Sequence, residues 1–296
     1  MSVHKRTYRP FTGELTSPTT RFGVLVRYSL ADVWSSKITT VLFFGCMAPS
    51  LIALAVIYIM SSPAVKLLLT GAGGPSASFN LDINERFFFG FLQAHCWMAL
   101  ALTAWIGPKL MSVDFSNNAL PTILSHPISR VEYVLAKIAV IAVFLSAVTW
   151  VPLMLLFAAQ AYLSATPWLG AHWHIGSGIM AGCLIWIALL SLIALALASW
   201  VKWRIVTTGL IFAAIFIPAG MGSVFSAIMR TNWGEIVNIP VIMYTLWHRL
   251  LRVPMLHFAA RNELPTWAIV LALAGMCAGC VTALNARVRA REVVRG

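Results

Sequence analysis

Six long apolar runs constrain the fold of this 296-residue chain more than any other feature. A helix needs about 20 apolar residues to cross roughly 30 Å of hydrocarbon, and these runs reach or approach that length. The sequence therefore predicts an all-α, polytopic membrane protein. Its six predicted spans are Ile38–Met60, Phe87–Ile106, Tyr133–Ala159, Ile175–Val201, Ile205–Ile228 and Thr266–Ala286.

The lysines and arginines are distributed unequally between the connections, and this bias predicts the orientation. Six precede the first span, three flank the second connection, two flank the fourth and four follow the last span, which makes fifteen on one side against six on the other. Both termini are therefore predicted to be cytoplasmic, in a plasma (bacterial inner) membrane. The net charge of +12 is interpreted as topology and attraction to anionic membrane lipids, not as nucleic-acid binding.

Outside the six-helix transmembrane domain, residues 38–286, the ends of the chain divide into three segments. Residues 1–20 form a polar tail, and residues 287–296 form a basic C-terminus. Between the tail and the first span, Arg21–Lys37 has apolar residues at helical spacing, which predicts an amphipathic interfacial helix. The alternative is an entry helix continuous with the first span.

The outer connection between the fifth and sixth spans, residues 229–265, is long and partly apolar. Pro218, with glycines just after it, is predicted to break the fifth span near its outer end. Val241–Val253 is predicted to form an amphipathic helix with Arg249 and Arg252 on one side. We interpret it as a surface helix or a partly re-entrant one, with a peripheral helix as the alternative.

The most informative segment is the polar, proline-rich connection between the second and third spans, residues 107–132. Gly107-Pro108 is predicted to end the second span, because proline lacks an N–H and clashes with the preceding turn. Asn118 can cap a short helix, Ala119–Leu124. Ser129 and Glu132 have the spacing of a capping box that opens the third span. The result would be a stiff helical elbow on one membrane face.

This connection resembles the cytoplasmic coupling loop of type-2 ABC transporter permeases, in the order Gly-Pro, a nearby Asp, Asn-Asn-Ala-Leu-Pro, Ser-x-Pro, Ser-Arg, Glu-Tyr-Val-Leu and Lys. The resemblance implies a coupling helix that contacts a separate ABC ATPase, with two ATPase subunits and a second permease copy or a related permease as partners. ATP and Mg would bind in the ATPase. The implied contact residues are Asp114, Asn117, Asn118, Ala119, Leu120, Pro121, Ile123, Leu124, Ser125, Pro127, Ser129, Arg130, Glu132 and Tyr133.

The chain contains no nucleotide-binding motif, so we expect no enzymatic activity and no cofactor in this chain. Polar side chains inside spans are candidates for a transport pathway, and Gln93 and His95 are the two in the second span. The alternative for both is a hydrogen bond between helices. No carboxylate pair lies within the predicted spans, which disfavours a proton-driven transporter, and no metal site is predicted.

The function predicted from these features is that of a permease subunit of an ATP-driven ABC exporter, which forms the pathway as a dimer. Two alternatives remain open at this point. One is a membrane scaffold or assembly subunit that binds a soluble cytoplasmic partner without transport. The other is an intramembrane enzyme or a cytochrome-like redox protein.

Cysteine labelling in intact cells tests the predicted topology. Cysteine at position 76 or 234 should react with an impermeant reagent applied outside, in the variants Ser76→Cys and Gly234→Cys. The variants Ser116→Cys and Gly296→Cys should react only after permeabilisation, because the charge bias places them inside. Labelling of Ser116→Cys from outside would show that the predicted orientation is wrong.

Overall fold

The computed structural model describes residues 17–62, 83–117, 128–164, 168–254 and 264–290. Within these ranges the chain is helical, without β-strands. The helices are α1 (Pro18–Trp34), α2 (Lys37–Gly45), α3 (Ala48–Ser61), α4 (Glu85–Ser116), α5 (Arg130–Val148), α6 (Trp150–Leu163), α7 (Trp168–Trp200), α8 (Arg204–Met229), α9 (Ile239–Leu250) and α10 (Thr266–Ala290). A 3₁₀ helix, Trp233–Val237, lies between α8 and α9.

Six helical segments of the described chain are long and apolar enough to cross a membrane, which confirms the predicted number of spans. They are Lys37–Ser61, Glu85–Ser116, Arg130–Leu163, Trp168–Trp200, Arg204–Met229 and Thr266–Val288. The amphipathic segment before them is helical as α1, and the break at Ser35–Ser36 separates it from α2. It is therefore not continuous with the first span.

The first and third spans each consist of two helices, where the sequence predicts one run. In the third span the break falls at Thr149, whose φ of −106° and ψ of −91° are not helical. Pro152 follows closely, and its ring cannot sit against the carbonyl of Val148 in a continuous helix. At the break the Leu145 carbonyl accepts from both the Thr149 N–H, at 2.8 Å, and the Thr149 hydroxyl, at 2.7 Å.

The prediction that the second span ends at Gly107-Pro108 is wrong, because α4 continues through Pro108 to Ser116. Proline removes the N–H that would bond to the Ala104 carbonyl. The Thr208 hydroxyl of α8 donates to that carbonyl at 2.9 Å instead. A neighbouring helix thus supplies the missing donor, as proline inside a membrane helix requires. The polar connection is therefore shorter than residues 107–132.

Glycine at position 107 lets α4 and α7 approach closely at the same level. A Cβ atom on Gly107 would lie 2.8 Å from the Cβ of Ala194. Further contacts lie nearer the helix ends. Ser112 donates its hydroxyl proton to the Ala198 carbonyl at 3.1 Å, and Arg287 Nε of α10 donates to the Ser199 carbonyl at 3.2 Å. The ends of α4, α7 and α10 therefore share one end of the bundle, which we call the loop face.

The second, third and fourth spans form the centre of the bundle. Their most apolar windows are 61%, 56% and 67% buried, whereas those of the first, fifth and sixth spans are each 22% buried. Trp186 lies in this centre, and its indole N–H donates to the Cys96 carbonyl at 2.9 Å. The three outer spans therefore expose broad apolar faces to their surroundings.

Two predictions for the region after the fourth span are wrong. Helix α8 is continuous through Pro218 to Met229. In an apolar environment a break in the helix would leave more backbone groups without hydrogen-bond partners than a continuous helix that contains proline, so the continuous helix costs less free energy. Helix α9 ends at Leu250, and Arg252 follows it with a left-handed φ of 56°. Arg252 therefore does not lie on a helix face with Arg249.

The bond between Thr208 and the Ala104 carbonyl can be tested by a double-mutant cycle. Thr208→Val should lower the free energy of unfolding in detergent by about 1 kcal/mol, because the carbonyl loses its donor. In a Pro108→Ala background the cost should nearly vanish, since the new N–H can bond to Ala104. Thr282→Val is the control, because this hydroxyl bonds only within its own helix. Equal costs for Thr208→Val in both backgrounds would contradict this account.

Candidate functional site

The residues predicted to contact a partner divide into two groups in the structure. Asn118, Ala119, Leu120, Pro121, Ile123, Leu124, Ser125 and Pro127 lie outside the described residues, as does the predicted helix Ala119–Leu124. Asp114, Asn117, Ser129, Arg130, Glu132 and Tyr133 are described, and they lie where α4 ends and α5 begins. These residues form the base of the loop, and the structure brings several of them together.

The predicted capping box at the start of α5 is confirmed. Ser129 is the N-cap, and its hydroxyl accepts from the Glu132 N–H at 3.2 Å. The Glu132 carboxylate accepts in turn from the Ser129 N–H at 2.7 Å. Two backbone donors that a helix start leaves without partners are thereby satisfied. The direction in which the chain enters the third span is fixed by these bonds.

A buried polar cluster joins the two sides of the loop. Asp114 lies in the last turn of α4, and one of its carboxylate oxygens accepts from the Tyr133 hydroxyl at 2.8 Å. The Lys137 ammonium lies 2.9 Å from the same oxygen. Tyr133 and Lys137 are four residues apart and so share one face of α5. The carboxylate therefore ties the end of the second span to the start of the third.

The same cluster reaches α1. The Lys137 ammonium also donates to the Ser29 hydroxyl at 3.5 Å. A second link lies beside it, where Lys109 of α4 pairs with the Asp32 carboxylate at 3.5 Å and donates to the Asp32 carbonyl. Helix α1 is thus held to both α4 and α5. We call Ser29, Asp32, Lys109, Asp114, Tyr133 and Lys137 the loop-base cluster.

Burial makes the Asp114–Lys137 pair sensitive to loss of either member. The side chains are 21% and 8% exposed, whereas the Asp32 side chain in the other pair is 64% exposed. A buried ion becomes costly once its partner is removed, and an exposed pair contributes little. The inner pair therefore fixes α4 relative to α5, and the bond from Lys137 to Ser29 adds α1. The Asp114 carboxylate, the Tyr133 hydroxyl and the Lys137 ammonium are bonded to one another, so we interpret these residues as holding the helices together.

The pathway candidates Gln93 and His95 differ in their surroundings. His95 is fully buried, and its Nδ1 lies 2.7 Å from the Phe91 carbonyl. A carbonyl only accepts, so Nδ1 carries the proton and Nε2 accepts from the Ser50 hydroxyl at 2.5 Å. This bond joins α4 to α3, the second half of the first span, within one chain. Gln93 is partly exposed.

Sequence reasoning missed a buried carboxylate in the connection between the fifth and sixth spans. Glu235 is buried in the 3₁₀ helix, and it accepts from the Asn238 side-chain amide at 2.6 Å. That amide also donates to the Ser223 hydroxyl of α8 at 3.1 Å. The side-chain oxygen of Asn238, Oδ1, accepts from the Val241 N–H and caps α9. Asn238 followed by Pro240 was the available signal, since this pair is typical of a helix start.

The segment around Glu235 folds back along the bundle. Val237 and Ile239 line an apolar cavity of about 430 Å³ together with Pro218 and Met276, which lie near the middles of α8 and α10. Helix α9 therefore starts at that level and returns towards the N-terminal half of α7, where a Cβ on Gly182 would meet Trp247. The helix thus packs along α7, and its interpretation as a surface, a partly re-entrant or a peripheral helix stays a prediction.

A pair of glycines makes this fold-back feasible. A Cβ on Gly222 of α8 would lie 2.5 Å from the Gly234 carbonyl oxygen, and one on Gly234 would lie equally close to the Gly222 oxygen. Two backbones meet here with no room for side chains. Gly234 is buried, although the sequence predicts that it lies in an exposed connection. Failure of the Gly234→Cys variant to react would therefore reflect packing and not topology. Of the two variants predicted to react from outside, Ser76→Cys is the one that tests the topology.

A second cycle tests the loop-base cluster. Asp114→Ala should lower the free energy of unfolding by about 3 kcal/mol, because it leaves the Lys137 ammonium buried without its partner. The double variant Asp114→Ala/Lys137→Met should be more stable than Asp114→Ala alone. Lys109→Met should cost less than about 1 kcal/mol, since its partner is exposed. The single variant Lys137→Met completes the cycle. Detergent unfolding followed by circular dichroism measures all five proteins, and strictly additive costs of Asp114→Ala and Lys137→Met would contradict a coupled pair.

Comparison with models of known protein families gives no match, and comparison with curated proteins gives none either. The assignment of a function therefore depends on the residues and geometry of this chain.

Proposed function

We propose that this chain is the membrane subunit of an ATP-driven exporter of the ABC type. The loop between its second and third spans receives motion from a separate ATPase. The loop-base cluster is the observation that carries the proposal, because it joins α1, α4 and α5 at the helix ends that flank residues 118–127 in the sequence. A push on this loop would move three helices as one body, which is what transmission from a soluble motor into a membrane domain requires.

The proposed orientation places the loop face and both termini in the cytoplasm of a bacterial cell, with the protein in its inner membrane. The charge bias of fifteen to six supports this orientation. ATP and Mg would bind to the partner subunits, two of which we expect for each pair of permeases. The transmembrane chain would contribute the pathway and the mechanical connection.

The pathway would lie between two copies of this chain, or between this chain and a related permease. The first and fifth spans support this arrangement, since only 22% of each apolar window is buried within one chain. Both flank the second span, as the Thr208–Ala104 bond and the Cys46 thiol, 3.9 Å from the Met98 carbonyl, indicate. Trp97 of α4 stacks on Phe216 of α8 at 5.8 Å, and the two rings make one exposed apolar surface that a second copy can cover.

The segment that folds back after α8 would form the outer end of this pathway. Glu235 and Asn238 hold it to α8 from within, so it can move with the fifth span. A scaffold that only binds a soluble partner would not need the fold-back after α8. For this reason we place transport ahead of a scaffold function.

The loop itself gives the sharpest test of the proposed function. Leu120→Asp/Ile123→Asp should leave membrane insertion intact and weaken association with an ATP-binding cassette ATPase by at least roughly a hundredfold, because unpaired charges would have to be buried at the contact. The measurement is co-purification from native membranes in mild detergent, with vanadate-sensitive ATP hydrolysis as the second readout.

A charge placed elsewhere on the loop face provides the control. Trp203 is exposed between α7 and α8, so Trp203→Asp adds a carboxylate to the same face without touching the loop. This variant should retain the ATPase. If the double aspartate variant also retains the ATPase and its turnover, the loop is not the coupling element and the proposal fails.

A further inference from the structure

An apolar groove lies on the side of the bundle where α1, α2 and α5 meet. Its volume is about 330 Å³, and Ala31 and Trp34 of α1, Phe43 of α2 and Phe144 of α5 line it. This volume is at the lower end of the range for sites that bind small molecules. Its walls are almost entirely apolar. The groove has room for a flexible apolar chain and is too small for a helix.

Aromatic contacts hold the walls of the groove in place. The Trp34 indole stacks on the Phe144 ring at 5.6 Å with an interplanar angle of 24°. Phe43 meets Trp34 edge to face at 5.2 Å. Trp34 stays 45% exposed in spite of these contacts. The groove is therefore preformed, and it opens towards the surroundings of the bundle.

A positively charged residue, Arg27, precedes the groove residues of α1 on the same side of that helix. Arg27 precedes Ala31 by four residues and Trp34 by seven, so the three lie along one side of α1. Arg27 is exposed, and no carboxylate of the described residues pairs with it. The groove thus has apolar walls, and a positively charged residue lies beyond them on the same side of α1.

The direction of the groove matches the direction of a lipid in a bilayer. Ser29 contacts Lys137 at the loop face, whereas Trp34 contacts Phe144 two turns further into the third span. In a bilayer whose headgroups lie at the loop face, Arg27 would be at the level of those headgroups, and the apolar walls would extend from it towards the hydrocarbon. A basic side chain at that level favours an anionic headgroup.

We propose that this groove is a binding site for an anionic phospholipid, with one acyl chain against Trp34 and Phe144 and the phosphate against Arg27. The apolar walls exclude a polar ligand, and the cation beyond them selects for negative charge. Occupancy would fill the gap between α1 and α5 and hold α1 against the loop-base cluster. The site does not depend on the proposed transport function.

Photo-cross-linking identifies the occupant directly. The full-length chain carries benzoylphenylalanine in place of Trp34, so that one aromatic wall residue replaces another without filling the groove, and it is irradiated in native membranes and analysed by intact-mass spectrometry. We expect an adduct with the mass of a phospholipid. Cross-links found only to a second copy of the chain, or only to a soluble protein, would overturn the proposal.

Lipid selectivity provides the independent measurement. The purified full-length chain is incubated with equal amounts of phosphatidylglycerol and phosphatidylcholine, and retained lipid is counted by native mass spectrometry. Arg27→Gln should reduce the preference for phosphatidylglycerol about fivefold, the effect of one basic residue near an anionic surface. Ala31→Trp should reduce retention of both lipids, because it fills the groove.

Two variants with similar chemistry at other exposed sites are the controls. Lys202→Gln removes a cation between α7 and α8, and Ala158→Trp adds an indole to α6. Both should retain lipid as the unmodified chain does. Equal retention by all five proteins would mean that the lipid belongs to the layer that surrounds any membrane protein, and it would refute a specific site.

Discussion

The contact of Asp114 with Tyr133 and Lys137 is the interaction on which the arrangement of the loop face depends. A carboxylate and an ammonium are costly to remove from water, and the pair is tolerable here because the same oxygen also receives the tyrosine hydroxyl. The geometry holds only when α4 and α5 keep their relative position. The pair therefore acts as a positional constraint more than as a source of stability. Helix α1 shares this constraint through Ser29.

A second constraint acts along the spans, where backbone groups have no water to bond to. Two irregularities in the described part of the bundle show how side chains contribute. The Thr208 hydroxyl donates to the carbonyl that Pro108 leaves without its helical donor, and the Thr149 hydroxyl adds a second bond to the Leu145 carbonyl at the break before Pro152. The fold-back after α8 follows the same rule, since Asn238 satisfies the start of α9 and the Glu235 carboxylate.

The sequence was sufficient for features that depend on local composition. Hydrophobic length gave six spans, and the spacing of Ser129 and Glu132 gave the capping box, because both signals are contained in one stretch of chain. It was insufficient wherever a distant residue decides the outcome. From the sequence alone Pro108 predicts a helix end, but Thr208, a hundred positions away, supplies a donor and the helix continues. Glu235 likewise lies in a connection by its sequence, and it is buried because the backbones at Gly222 and Gly234 meet closely.

The loop-base cluster lies between these cases. Tyr133 and Lys137 have the spacing of neighbours on one helix face, and this was visible in the sequence. Their partner Asp114 was assigned to a loop, because Pro108 was taken as the end of the second span. Once α4 extends to Ser116, the carboxylate faces α5 across the loop. One error in a helix end thus concealed the most constrained contact of the loop face.

The central claim is that a soluble ATPase docks on the loop between α4 and α5. The most direct test replaces Asn117, the exposed C-cap of α4, by benzoylphenylalanine and irradiates intact cells. Peptide mass spectrometry then identifies what has been captured. The account predicts a peptide from a subunit that carries an ATP-binding cassette. Efficient capture of a soluble protein without nucleotide-binding motifs, with no ATPase peptide, would contradict it.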